Sequence, residues 1–189
     1  MPRQSDKRVR LVKAAKSLLL KKGYNETTLA DIAQEADVPL GNVYYYFKTK
    51  EAIGQAVIQQ HMQDLDTCFV NWNQLSSAKE RLNALTESGL QPLEETISWG
   101  CSIGSLCQEL CKSNSVLSEA AANLMNKLID WVQAQFKELG KDDKEAKLLA
   151  VKLVSYMQGL ALLSNTFKDE NLAKEQQNSV SEWLLEEAV

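Results

Sequence analysis

Two short helices joined by a tight turn are predicted by residues 27–52, which read TTLADIAQEADVPLGNVYYYFKTKEA. Thr28 and Asp31 have the spacing of a capping box, in which each side chain satisfies a backbone amide of the other residue at a helix start. Pro39 ends this first helix because a proline disfavours helical geometry at the residue before it, and it is tolerated at the start of the next. The second helix is predicted over about residues 40–47.

The second helix contains three consecutive tyrosines, Tyr44, Tyr45 and Tyr46. Neighbouring residues on a helix point ~100° apart, so the three rings cannot all face one core. Val43 and Phe47, four residues apart, are predicted to anchor the helix instead. At least one tyrosine is therefore expected on the surface.

The side chains around these tyrosines suit nucleic acid. Asn42 can read adenine through paired hydrogen bonds, and tyrosine hydroxyls suit phosphates and base edges. Gly41 keeps the helix start slim, while Lys48 and Lys50 supply charge for phosphates. The alternative interpretation is a tyrosine cluster packed in a helical core.

The charge distribution points to the same region. The chain has a net charge of −4, but residues 1–50 hold ten Lys/Arg against five Asp/Glu, a net of +5, which leaves −9 for residues 51–189. A basic block on an acidic body favours a polyanion partner for that block. The alternative is that the lysines of one surface helix cluster by chance.

The remaining sequence is also helical in pattern, so the predicted fold is all-α. Residues 6–22 predict an amphipathic helix that stops at Gly23 in the left-handed conformation. Pro92 predicts a kink or break, and His61 is expected at the surface. Further helices are predicted at about 50–73, 78–97, 103–112, 116–139, 143–166 and 171–187.

Composition limits the possible functions. The 189 residues are 44% hydrophobic and 24% charged, as in ordinary soluble proteins, with no apolar run of the roughly 20 residues that a membrane span needs. The sequence therefore predicts a cytoplasmic protein without a membrane partner. One histidine, no Gly-rich phosphate loop and no nucleophile motif argue against an enzyme, and no cofactor is expected. A helical adaptor for protein partners is disfavoured by the basic first fifty residues.

Residues 27–52 closely resemble the DNA-binding signature of the TetR family of transcriptional regulators. The preceding Ala14-Ala15, Leu18-Leu19 and Gly23-Tyr24 resemble the first helix of that family. The resemblance implies a three-helix helix-turn-helix domain in residues 1–50 and a larger helical ligand-binding and dimerisation domain in residues 51–189. It also implies a homodimeric repressor that places two recognition helices in successive major grooves of a near-palindromic operator in double-stranded DNA.

The resemblance further implies which side chains contact DNA. The residues facing the groove or its edge are implied to be Leu40, Asn42, Tyr44 and Tyr46, with Tyr45 beside them. The implied phosphate contacts come from Thr28, through the N-terminus of the second helix, and from Lys48 and Lys50. Such a repressor releases its operator on binding a small-molecule inducer or on thiol modification.

In this family the last two helices usually form the dimer interface. Residues 143–166 are apolar on more than one face, as expected for a helix buried by its own core and by a second subunit, and Gly159 would allow close helix approach. The residues that fit a second interface helix are Leu172, Val180, Trp183, Leu184 and Leu185. A monomer with a wide internal core is the alternative.

The stretch WGCSIGSLCQELC, residues 99–111, resembles a segment found in a subgroup of the family that includes some electrophile- and oxidant-responsive repressors. Ser102 is expected to cap a helix beginning at Ile103, which places Cys101 where the helix dipole would lower its thiol pKa. The alternatives are that the cysteines are inert core residues, or that Cys107 and Cys111, which are four residues apart, bind a metal.

Metal binding would need further ligands, and the sequence has one histidine and no CxxC pair, so no metal site is assigned. Four cysteines without a secretory signal also argue against a disulfide framework. The candidates for an inducer pocket or sensor are Cys101, Trp99, Cys107, Trp131 and Tyr156, although such residues are also typical of a plain core.

Overall fold

The computed structural model describes residues 6–88, 93–112 and 115–187, with only the backbone of Leu185. Ten α-helices and no β-strand occur in these residues, which confirms the all-α prediction. The helices are α1 (Asp6–Lys22), α2 (Leu29–Glu35), α3 (Leu40–Tyr46), α4 (Lys50–Trp72), α5 (Ala78–Ser88), α6 (Leu93–Trp99), α7 (Ser102–Leu110), α8 (Val116–Glu138), α9 (Asp143–Phe167) and α10 (Glu170–Glu187).

The observed helix ends lie within a few residues of the predicted ones. The α7 helix begins at Ser102, one residue before the predicted start at Ile103. The predicted segment 78–97 corresponds to two helices, α5 and α6, and α6 continues two residues beyond it to Trp99. The expected kink at Pro92 lies outside the described residues. Gly23 has φ +85° and its N–H donates to the carbonyl of Leu19 at 3.1 Å, so the predicted left-handed stop after α1 is confirmed.

The chain divides into two compact units. The first contains residues 1–63 and 102–124, and its core includes Leu11, Val43 and Val57. The second contains residues 64–101 and 125–189, and its core includes Phe136 and Leu153. These units are defined by packing, and a functional boundary at residue 50 stays a prediction.

His61 is buried, with 4% of its surface exposed, so the prediction of a surface position is wrong. The reason is its register on α4. Val57, His61 and Leu65 follow one another at intervals of four residues and share the buried stripe of the helix.

The α9 helix is apolar on two faces, as predicted. One face is buried and includes Leu149, Leu153 and Leu160, and α9 packs against α6 and α10 in the second unit. The exposed apolar residues of α9 are Leu148, Val151, Leu162, Leu163 and Phe167. We refer to these five residues as the outer face of α9.

By length and composition alone, α9 is the one helix among the described residues that could cross a membrane, a feature we did not expect. Its most apolar window has a mean hydropathy of 1.4, and 39% of that window is buried. Core helices of soluble proteins pass the same test.

The prediction that α10 offers Val180 and Leu184 to a partner is wrong for these two residues. Each is only 2% exposed, because with Ala173 they form the stripe of α10 that is buried inside the second unit, where α10 packs against α5 and α9. The side chain of Leu185 lies outside the described residues.

Candidate nucleic-acid interface

The predicted capping box is present at the start of α2. The Thr28 hydroxyl oxygen accepts from the Asp31 N–H at 3.1 Å, and Asp31 Oδ2 accepts from the Thr28 N–H at 2.8 Å. Hydrogen bonds from the Thr28 backbone and hydroxyl, with a smaller effect of Lys22, hold the pKa of Asp31 below its usual range. Thr28 is exposed, and its predicted phosphate contact stays a prediction.

The turn between α2 and α3 is held by Arg10 of α1. The Nη2 atom of Arg10 donates to the carbonyls of Ala36 at 2.5 Å and Asp37 at 2.7 Å, and to Asp37 Oδ2 at 3.2 Å. Asp37 has φ +49°, a left-handed conformation that Asp tolerates better than most residues. Val38, the next residue, is buried. The position of α3 after this turn therefore depends on α1.

Two side chains anchor α3, as predicted. Val43 and Phe47 are both buried, and the Arg8 guanidinium lies over the Phe47 ring at 5.4 Å from its centroid. Pro39 occupies the N-cap position, and its carbonyl accepts from the Asn42 N–H at 2.8 Å. With this anchoring, Leu40, Tyr44 and Tyr45 remain exposed.

The exposed part of α3 is aromatic. Leu40 is 41% exposed, Tyr44 48% and Tyr45 75%, which confirms that at least one tyrosine lies on the surface. Asn42 and Tyr46 are half-buried, and the Tyr46 ring meets the Tyr45 ring edge to face at 4.9 Å. We define Leu40, Asn42 and the three tyrosines as the α3 surface.

The two predicted phosphate-binding lysines have different surroundings. Lys48 is exposed just after α3. Lys50, at the start of α4, donates from Nζ to the Asn25 carbonyl at 2.7 Å and lies 4.7 Å from the centroid of the Tyr24 ring. An ammonium has three donors, so this carbonyl bond leaves capacity for a phosphate.

Glu109 of α7 contacts the corner between α1 and α2. Its Oε2 accepts from the Tyr24 N–H and its Oε1 from the Asn25 N–H, both at 2.6 Å. Burial raises the pKa of the Tyr24 hydroxyl, and the carboxylates of Glu51 and Glu109 raise it further.

Sequence reasoning missed the roles of Arg10 and Glu109. Arg10 counted only as one of several N-terminal charges, and Glu109 only as part of a resemblance. A partner 26 or 85 residues away leaves no signal in local spacing. The residues Asp37-Val38-Pro39 gave a hint to the turn itself, because Asp before a Val-Pro pair suits a tight turn.

The five sensor and pocket candidates lie in different surroundings. Cys101 precedes α7, is half-buried, and accepts from Gln158 Nε2 of α9 at 3.6 Å. Cys107 is buried and its thiol donates to the Ala121 carbonyl at 3.4 Å. Trp99 is exposed at the end of α6.

The other two candidates satisfy their polar atoms within the second unit. Trp131 stacks on Phe69 with ring centroids 4.8 Å apart, and its Nε1 donates to Asn73 Oδ1 at 3.3 Å. The Tyr156 hydroxyl donates to Gln176 Oε1 at 2.7 Å. Across residues 6–88, 93–112 and 115–187, no group of three or more His, Cys, Asp or Glu side chains could hold a metal ion.

The α2 helix is capped, a tight turn follows it, and α3 is anchored while it exposes Tyr44 and Tyr45. This arrangement defines a helix-turn-helix protein. Residues 11–57 match the family model described as bacterial regulatory proteins, tetR family. Residues 78–175 match the model of the LmrA/YxaF-like transcriptional regulator C-terminal domain. The chain therefore belongs to the TetR family of DNA-binding transcriptional regulators, which are not enzymes.

Individual relatives agree with this assignment. The transcriptional regulator QacR of Staphylococcus aureus is 30% identical over 137 residues, which cover 68% of each chain. The repressor NemR of Escherichia coli is 34% identical over 58 residues, which cover 31% of this chain and 29% of NemR.

Two solved structures share the fold. A TetR regulator from Legionella pneumophila has a TM-score of 0.86 at 22% identity, covering 96% of this chain and 98% of its own. The reduced form of E. coli NemR has a TM-score of 0.79 at 19% identity, covering 93% of this chain and 95% of its own.

Proposed function

We propose that this TetR-family chain is a homodimeric repressor that binds a near-palindromic operator through α3 and releases it on a chemical signal. The observation that carries the proposal is the α3 surface, where Tyr44 and Tyr45 are exposed although α3 is firmly anchored by Val43 and Phe47. Exposed aromatic rings in a block with a net charge of +5 suit a polyanion better than they suit water. Because its partner is chromosomal DNA, we place the protein in the cytoplasm.

The DNA contacts divide into groove and phosphate contacts. Leu40, Asn42, Tyr44 and Tyr46 would face the major groove or its edge, with Tyr45 at the boundary. The phosphate contacts would come from the N-terminus of α2 at Thr28, from Lys48, and from the remaining donors of Lys50.

Selection of DNA from a random-sequence library by the wild-type protein tests this function. We expect an enriched near-palindromic duplex whose affinity falls at least about tenfold in the double variant Asn42→Ala, Tyr46→Ala, because a good base contact discriminates by about 1–3 kcal/mol. Asn178→Ala, at an exposed asparagine of α10, is the control and should bind like wild type. No enriched sequence at low salt, or undiminished binding by the double variant, would overturn the proposal.

The outer face of α9 is the proposed centre of the homodimer interface. Its residues are too apolar to be left in water, and a side chain built at Gly159 would meet open space, so another helix can approach the backbone closely there. Leu162→Lys should shift the protein toward monomer in sedimentation velocity, whereas Asn123→Lys, which adds the same charge at an exposed residue of α8, should not. A dimer that survives Leu162→Lys unchanged would contradict this interface.

For the release step we propose modification of the Cys101 thiol by an electrophile. Cys101 directly precedes α7 and is half-buried beside Gln158. The likeness in fold to NemR, whose structure is that of a reduced form, supports a thiol signal. With an unsaturated aldehyde, the Cys101 sulfur would bond to the β-carbon, the carbon–carbon double bond would be consumed, and a proton would go to the α-carbon.

Gel-shift assays with the selected operator test the release step. An unsaturated aldehyde should weaken operator binding by the wild type but not by Cys101→Ser. The control is Cys111→Ser, which removes an exposed cysteine and should respond like the wild type. If Cys101→Ser responds like wild type, the thiol mechanism is wrong. Release would then follow from a reversible small-molecule ligand, which shifts the population toward a state that does not bind DNA.

A further inference from the structure

We infer that Glu109 is a positioning residue for operator binding, through which α7 holds the corner formed by residues 23–25 between α1 and α2. This inference rests on the proposed function, because it concerns the same DNA-binding surface. The carboxylate of Glu109 accepts from Tyr24 and Asn25, and neither residue belongs to the α3 surface. It would act through the backbone of the corner.

The contact is short and uses both carboxylate oxygens. The Tyr24 and Asn25 N–H groups each donate to a separate oxygen of Glu109 at 2.6 Å. Hydrogen bonds to an ionised acceptor are roughly twice as strong as neutral ones, and two of them fix orientation as well as distance. The corner is therefore held in one geometry relative to α7.

Gly23 makes room for this carboxylate. Its φ of +85° is a conformation that favours glycine, and a Cβ built on it would lie 2.9 Å from Glu109 Oε2. The glycine therefore serves both the backbone reversal after α1 and the close approach of Glu109. Any other residue at position 23 would have to adopt the positive φ and also place its Cβ against the carboxylate of Glu109.

The corner in turn fixes the starts of two helices. The Asn25 carbonyl accepts from Lys50 Nζ at 2.7 Å, which ties the corner to the first residue of α4. The hydroxyl of buried Thr27 donates to the Gly23 carbonyl at 2.7 Å, one residue before the capping box of α2. Glu109 thereby acts on the placement of α2 and α4 together.

Placement matters most for base recognition. Contacts to base edges need exact register, whereas attraction of lysines to phosphates tolerates some movement. If Glu109 no longer held the corner, the side chains of the α3 surface would be unchanged in identity but less well organised before binding. Affinity for the operator should fall more than affinity for random DNA.

Glu109→Gln is the test variant because it keeps the size of the side chain. Its amide oxygen can accept from one N–H, but its NH₂ group then faces the other donor. We expect affinity for the library-selected operator to fall about tenfold, with affinity for a random-sequence duplex within about twofold of wild type. Glu26→Gln is the matched control, since Glu26 is exposed next to the corner and the substitution removes the same charge.

The sign of the effect separates positioning from simple electrostatics. Removing a negative charge beside DNA strengthens binding to any duplex, so Glu26→Gln should bind equally or more tightly. NMR spectra of deuterated protein report on the backbone amides of Tyr24 and Asn25. In Glu109→Gln their chemical shifts should change and their hydrogens should exchange faster with solvent, whereas in Glu26→Gln neither should change. Thermal unfolding establishes that both variants are folded.

Three results would overturn the inference. The first is a folded Glu109→Gln protein that binds the operator within about twofold of wild type, and the second is an equal loss on operator and random DNA. If Glu109→Gln does not fold, the same test is made with Glu109→Asp, which keeps the charge but is one methylene shorter. Glu109→Asp must then lose affinity for the operator and not for the random-sequence duplex. A wild-type protein that selects no sequence is the third result, and it overturns the repressor function as well.

Discussion

Two aromatic clusters of the same size behave differently in this chain. Tyr44, Tyr45 and Tyr46 are consecutive on α3, and Tyr45 is three-quarters exposed. In the second unit, Phe69, Trp72 and Trp131 come from α4 and α8 and pack against one another with ring centroids 4.8–6.0 Å apart. The first set exposes Tyr44 and Tyr45 to solvent, whereas the second set packs within a unit.

Spacing explains the difference. Phe69 and Trp72 are three residues apart and share a helix face, so both can meet the ring of Trp131. The Trp131 N–H also has a partner, Asn73 Oδ1. Consecutive tyrosines cannot share a face, and two of the three, Tyr44 and Tyr45, are exposed. Aromatic content alone is therefore uninformative, whereas aromatic spacing separates a stabilising cluster from a binding surface.

The largest expected effect is on stability, in the packed cluster. Phe69→Ala should lower the free energy of unfolding by about 3 kcal/mol, because it removes a buried ring that stacks on Trp131 and leaves a cavity. Tyr45→Ala should change it by less than about 0.5 kcal/mol. Urea unfolding measures both, and similar losses in the two variants would break the comparison.

Arg10 should show that the exposed cluster depends on its support. Arg10→Met removes the donor to the Ala36 and Asp37 carbonyls and should cost about 1.5 kcal/mol of stability. Arg8→Met removes the same charge but only a contact over the Phe47 ring, so about 0.5 kcal/mol is expected. If the two variants are equally stable, the turn is not held by Arg10.

The capping box should have a smaller effect. Thr28→Ala removes the acceptor of the Asp31 N–H at the start of α2 and should cost about 1 kcal/mol in urea unfolding. An unchanged midpoint and slope would mean that α2 is held by its packing alone. The packing of Phe69, Trp72 and Trp131 in the second unit should not change in this variant.

The smallest effect is the acid dependence of the same cap. The pKa of Asp31 is lower in the folded chain, so its ionised form favours folding at neutral pH, and this contribution is lost as pH falls below about 4 through the folded pKa. Stability should therefore decline less steeply with acid in Asp31→Asn than in wild type. Equal slopes in acid unfolding curves would contradict the assignment.

The parts of the fold that depend on local pattern could be predicted from sequence. The spacing of Val43 and Phe47 identified the anchors of α3, and Thr28 with Asp31 identified the start of α2. Local chemistry determines both features.

Long-range placement could not be predicted. The partners of Arg10 and Glu109 lie far away along the chain. Val180 and Leu184 show the same limit, because an apolar stripe does not say whether its own subunit or a partner covers it. Tertiary packing determines which of the two covers the stripe, and the local sequence pattern does not predict it.

The most direct test of the central claim, that α3 reads bases, pairs one side chain with one base. Each adenine of the selected half-site is replaced in turn, and affinity is measured for wild type and for Asn42→Ala. We predict one position where replacement costs the wild type about 1–3 kcal/mol and costs Asn42→Ala nothing, because the contact is already absent. If Asn42→Ala keeps the full discrimination at every adenine, α3 does not read the operator through Asn42 and the account is contradicted.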